Sequence, residues 1–162
     1  MRVLNAKNIR LSAVFLFIIY VLLLVYLTFL SPYFGRGTLM FRRINLVPFR
    51  TIMQYTANGL DPKLFIINVM GNIAAFVPMG FLPPIVFNRL KRFGRVLALT
   101  FISTVMVETL QFILKAGAGD IDDIILNLAG GAAGYLLYLL ADTVLRKLFK
   151  TKPDMAAVRR QI

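Results

Sequence analysis

Cysteine and histidine are absent from this 162-residue chain, and Glu108 is its only glutamate. Without cysteine there is no disulfide and no thiolate nucleophile; without histidine there is no imidazole base or metal ligand. Lipid phosphatases that work through a phosphohistidine are excluded on the same ground. Acidic residues number only 7 against 19 basic ones, for a net charge of +12. That charge raises nucleic acid as a partner, but the basic residues sit in short clusters beside apolar stretches. Such clusters suit anionic headgroups and the setting of membrane topology, and no nucleic-acid partner is expected.

What the chain has in abundance is apolar surface. It is 59% hydrophobic and 16% charged, with a mean hydropathy of +0.75, outside the range of an ordinary soluble domain. A bilayer core of about 30 Å takes about 20 apolar residues in a helix. Four stretches qualify: residues 11–30, 64–87, 96–114 and 124–141. The expected fold is all-α, a polytopic membrane protein built as a bundle of four transmembrane helices. One domain covers residues 1–150, with a cytoplasmic tail at 151–162 that frays. The first span is longer than a signal-peptide core and reads as an uncleaved anchor. Thirteen basic residues flank one side of the four spans and six the other. The positive-inside rule therefore predicts that both termini are cytoplasmic and that the loops at 31–63 and 115–123 face outward.

With that orientation each polar residue acquires a depth at about 1.5 Å per residue. Asn68 and Asn72 of the second span, Glu108 and Gln111 of the third, and Asp123 and Asn127 of the fourth all fall in the outer half. Each pair has helical spacing and shares a face. A buried asparagine also serves as interhelical glue, whereas a carboxyl group at membrane depth is costly unless protonated, paired or hydrated and marks a functional candidate. The aspartates at 120, 122 and 123 also suit the first turn of a helix, where they cap free N–H groups and complement the dipole. Gly130 and Gly134 have the small-xxx-small spacing of close helix packing. Pro78, Pro83 and Pro84 are expected to kink or end the second helix.

Four segments, "NLVPF" (45–49), "GNIAAFVPMGF" (71–81), "ETLQ" (108–111) and "DIDDIILNLAGGAAG" (120–134), resemble in this order the VanZ-like family, named for a teicoplanin-resistance protein. The resemblance singles out Asn45, Asn72, Glu108, Gln111, Asp120, Asp123 and Asn127, and leaves Asp122 as a bystander. Many family members have an arginine ahead of the first aspartate, where this chain reads "AGAG" (116–119). Lys115 and Arg50 are the expected substitutes. The resemblance implies a bacterial plasma-membrane protein linked to glycopeptide resistance or envelope homeostasis.

Two functions follow as expectations. In the first, which the chain favours, the protein is not an enzyme. Its partners are membrane lipids, a lipid-linked cell-wall precursor or a lipoglycopeptide, held in a pocket of Asn45, Arg50, Asn68, Asn72, Glu108, Gln111, Asp120, Asp123 and Asn127, and no cofactor is required. In the second, Asp120, Asp123 and Glu108 hold Mg²⁺ or act as acid and base on a lipid phosphate. A small transporter or flippase ranks third, because the inner halves offer few polar groups. A thin bundle of this kind is also a candidate homo-oligomer.

Overall fold

The computed structural model describes residues 6–30, 44–57, 65–114 and 119–150. Lys115 and the tail beyond 150, both given roles above, lie outside these residues. Four helical segments are long and apolar enough to cross a membrane: Lys7–Leu30, Ile66–Val86, Phe93–Ile113 and Ile121–Lys147. The first comprises α1 (Ala6–Val25) and a π-helical turn at Tyr26–Leu30. The second is a π-helical turn (Ile66–Met70), α3 (Gly71–Phe81) and α4 (Pro83–Val86). The third is α5 (Phe93–Ile113), and the fourth belongs to α6 (Ile121–Lys150). A short helix, α2 (Arg50–Ala57), lies outside the spans.

Both later spans begin three residues before their apolar runs, at Phe93 rather than 96 and at Ile121 rather than 124. Hydropathy marks the part of a helix that faces lipid, while the hydrogen-bonded helix includes its polar first turn. α6 runs unbroken to Lys150, about 45 Å at 1.5 Å per residue, so it outruns a bilayer core of about 30 Å. Its last turns carry an exposed Asp142–Arg146 pair, with Nε donating over 2.7 Å.

The bundle is built around α3 and α6, whose backbones touch. A methyl group added at Gly130 would meet the Ile73 carbonyl, one at Gly134 the Val77 carbonyl, and one at Gly80 the Gly131 carbonyl. The glycines are needed because no side chain fits between these helices. α5 packs on the other flank of α6 through a stripe that recurs every fourth residue: Val96, Thr100, Thr104 and Glu108. This stripe is mostly polar, and the rest of α5, including Phe101, Ile102, Met106 and Ile113, is exposed and apolar, as a lipid-facing surface requires. α1 contributes Ala13, Tyr20 and Leu24 to the interior, with Phe17 packed alongside. Phe76, Met79 and Leu82 of the second span meet that stripe.

Pro78 lies inside α3 and has no N–H for the Ala74 carbonyl one turn earlier. One residue further along, the Tyr20 hydroxyl donates to the Ala75 carbonyl at 3.0 Å and ties α1 to the second span. Tyr20→Phe keeps the packing and removes the bond. It should destabilise the purified protein by about 1 kcal/mol, read as a lowered thermal midpoint.

Candidate functional site

The ends of α1, α5 and the π-helical turn at Ile66–Met70 meet the start of α6 at one end of the bundle, the distal end. Residues 44–57 are docked there. Asn45 N–H donates to the Gly119 carbonyl (2.9 Å) and Ile121 N–H to the Asn45 carbonyl (3.0 Å), forming an isolated parallel bridge between Asn45 and Asp120. The Asn45 side chain bends back to accept from Val47 N–H at 3.1 Å, an Asx turn.

Asp120 is the N-cap of α6, its carboxylate accepting from Asp122 N–H at 2.9 Å. It also accepts from Asn45 Nδ2 (2.9 Å) and the Thr51 hydroxyl (2.6 Å). Asp122 is fully buried at 0% exposure. Its carboxylate accepts from the backbone N–H groups of Phe49, Thr51 (2.7 Å) and Ile52 (3.2 Å). These are the free N–H groups at the start of α2, where Phe49 has no capping oxygen of its own. A carboxylate from another helix caps α2 and complements its dipole. Phe49 itself sits at φ 65°, a left-handed conformation unfavourable for a bulky side chain, and its bond to Asp122 holds it there.

Asp122, expected to be a bystander, is thus the most enclosed acidic residue of the site. The motif could not single it out, because its partners are three backbone amides some 70 positions away in sequence. Thr51, Thr28 and Tyr20 are likewise unmarked in the sequence, since an isolated hydroxyl in an apolar chain carries no positional signal.

The other polar groups face a cavity of about 370 Å³ between α1, α3, α5 and α6. Tyr20, Leu24, Leu27, Phe76 and Val107 give it an apolar side; Asn72, Glu108, Gln111, Asp123 and Asn127 give it a polar one. Asn72 Nδ2 donates to Asp123. Gln111 Nε2 donates to the Thr28 carbonyl at 3.3 Å, covering an open acceptor at the end of the first span. Asn127, 3% exposed, donates through Nδ2 to the Thr104 hydroxyl at 2.7 Å. Its Oδ1 is buried without a partner. Glu108, 7% exposed, accepts from Asp120 N–H at 3.3 Å.

A second cavity, of about 260 Å³, lies on the other side of the α5–α6 seam beneath residues 44–46. Thr109, Phe112, Ile121 and Ile124 line it, and Glu108 borders both cavities.

The carboxylates therefore divide in two. Asp120 and Asp122 each accept three bonds from the docked segment and their own helix start, while Glu108 and Asp123 each accept one. Asn45 belongs with the first group and holds Asp120. Arg50 is exposed on the first turn of α2 and does not border the large cavity. Asn68 does not border it either. It lies in the π-helical turn at Ile66–Met70. Among the described residues no three acidic side chains have the spacing of a metal site.

The VanZ/LLP1 family model matches residues 17–142, from within the first span to near the end of the fourth. A curated relative, Protein VanZ of Enterococcus faecium, is 35% identical over 106 residues, covering 62% of this chain and 55% of the relative. The chain thus spans little more than half the length of that relative. No solved structure matches it. With four spans and a family match across most of its length, the chain is a multi-pass membrane protein that belongs to the VanZ/LLP1 family.

Proposed function

We propose that the protein is a non-catalytic component of the bacterial plasma membrane, and that its large cavity binds an amphiphile. The ligand is a lipid-linked cell-wall precursor, a lipid headgroup or a lipoglycopeptide. Both termini are cytoplasmic and the cavity opens toward the outer leaflet, in keeping with the distribution of basic residues. The observation that carries the reading is the cavity's two-sided lining. An apolar wall from α1 and α3 suits a lipid tail, and a facing group of carboxyl and amide side chains suits a polar head. The likeness to Protein VanZ supports a link to glycopeptide (teicoplanin) resistance.

The test is teicoplanin susceptibility in a strain dependent on this protein. Glu108→Gln and Asp123→Asn keep the shape of the lining and remove its acidic groups. At normal protein levels, both should lower resistance to that of the deletion strain, with cell-wall precursors chemically unchanged. Wild-type resistance in the deletion strain and in both variants would remove the antibiotic link. A changed precursor or lipid profile would favour an enzyme acting on a lipid phosphate through its carboxylates.

A further inference from the structure

The large cavity has an excess of acceptors. Asn127 Oδ1 is buried and unpartnered, on a side chain whose other end is fixed by Thr104. Asp123 accepts from Asn72 alone, and Glu108 from one backbone amide at the long distance of 3.3 Å. Among the described residues no lysine or arginine borders the cavity. A buried acceptor without a donor is costly, and carboxylates at membrane depth call for a positive or donating partner. A ligand anion here would face the two carboxyl groups of Glu108 and Asp123, in a medium that screens charge poorly.

Building on the amphiphile-binding reading, we propose that the head this cavity recognises ends in a primary ammonium group and carries no net negative charge. The ammonium lies among Glu108, Asp123 and Asn127 Oδ1, and its three N–H donors match these three acceptors. The tail runs along the apolar wall of α1. A trimethylammonium head has the same charge and no N–H, so it leaves Asn127 Oδ1 unsatisfied. The geometry thus favours a phosphoethanolamine head over phosphocholine, and either zwitterion over the net-anionic phosphoglycerol.

Native mass spectrometry of the purified full-length protein tests this. The probes are phosphatidylethanolamine, phosphatidylcholine and phosphatidylglycerol with identical acyl chains, together with dodecylamine. Phosphatidylethanolamine should bind about tenfold more tightly than phosphatidylglycerol, as expected for a paired rather than an opposed charge. Phosphatidylcholine should fall between them. Binding of dodecylamine as well would mean that the ammonium suffices; binding of phosphatidylethanolamine without dodecylamine would mean that the phospholipid frame is also read. Either result supports an ammonium site.

Asp123→Asn and Asn127→Leu should abolish the preference. Asn127→Asp, which adds an acceptor at the same place, should strengthen it and shows that loss in the other two is not misfolding. Ala74→Trp fills the cavity and reports whether binding occurs there. Binding that Ala74→Trp blocks but that shows no headgroup preference, or one for phosphatidylglycerol, overturns the ammonium site and leaves the amphiphile reading standing. Binding indifferent to Ala74→Trp for every probe, or no binding at all, overturns both.

Discussion

Asp122→Ala will release residues 44–57 from the distal end of the bundle at a cost of about 3 kcal/mol, since each buried donor left without its acceptor costs about 1–3 kcal/mol. Three backbone amides, of Phe49, Thr51 and Ile52, lose their acceptor together, and the fully enclosed position gives water no ready route to replace it. Phe49 also loses the bond that holds it at positive φ, a conformation that costs about 1–3 kcal/mol when unsupported. The segment then relaxes to an ordinary backbone and α2 loses its cap. Trypsin reports the change directly, because Arg50 is exposed on the first turn of α2. Cleavage after Arg50 should rise sharply in Asp122→Ala, and the thermal midpoint of the purified protein should fall. Asp122→Asn, with one acceptor oxygen in place of two, should fall between. Asp123→Asn, one residue away, should leave the cleavage rate unchanged, since Asp123 bonds to Asn72 and not to this segment. Equal cleavage in Asp122→Ala and wild type would refute the docking role.

Gly134→Ala should be comparably damaging, although it adds a single methyl group. That group would overlap the Val77 carbonyl oxygen, with the Gly80 Cα close behind. Both are backbone atoms of the facing helix, so no rotamer change makes room. α3 and α6 must separate along their whole contact, which loosens the Gly80–Gly131 and Gly130–Ile73 approaches as well. Overpacking a well-packed site costs about 1–3 kcal/mol where side chains can give way, and here the expected loss is at the upper end or beyond. Gly94→Ala is the matched control: it is also helical, but nothing lies within 4 Å of the added methyl. There alanine should be neutral or stabilising by up to about 1 kcal/mol through its better helix propensity. Thermal unfolding of the two purified variants separates them, and equal stability would contradict the backbone contact.

Span number and a close packing face on the fourth span were legible in the sequence for good reasons, while its partner α3 came only from the structure. A 20-residue apolar run has few alternatives to a membrane helix, and two glycines four apart leave a gap that only a close neighbour fills. The carboxylates were harder to read. Asp122 and Asp123 are identical in chemistry and adjacent, but one step along a helix turns the side chain by about 100°. That step sends Asp122 toward α2 and Asp123 toward the cavity. Nothing local to "DIDD" distinguishes them; the difference arises from where residues 44–57 dock. Asn68 and Asn72, four apart, were expected to line one site, and only Asn72 borders the large cavity.

Glu108 borders both cavities, so it acts as a septum. The chamber toward α1 and the smaller one under residues 44–46 are divided at this point by one flexible side chain, tethered by a single long hydrogen bond to Asp120. The residue tethering it, Asp120, also holds Asn45 and Thr51 of the docked segment. One residue, Asp120, therefore contacts both the docked segment and the side chain that borders the two cavities.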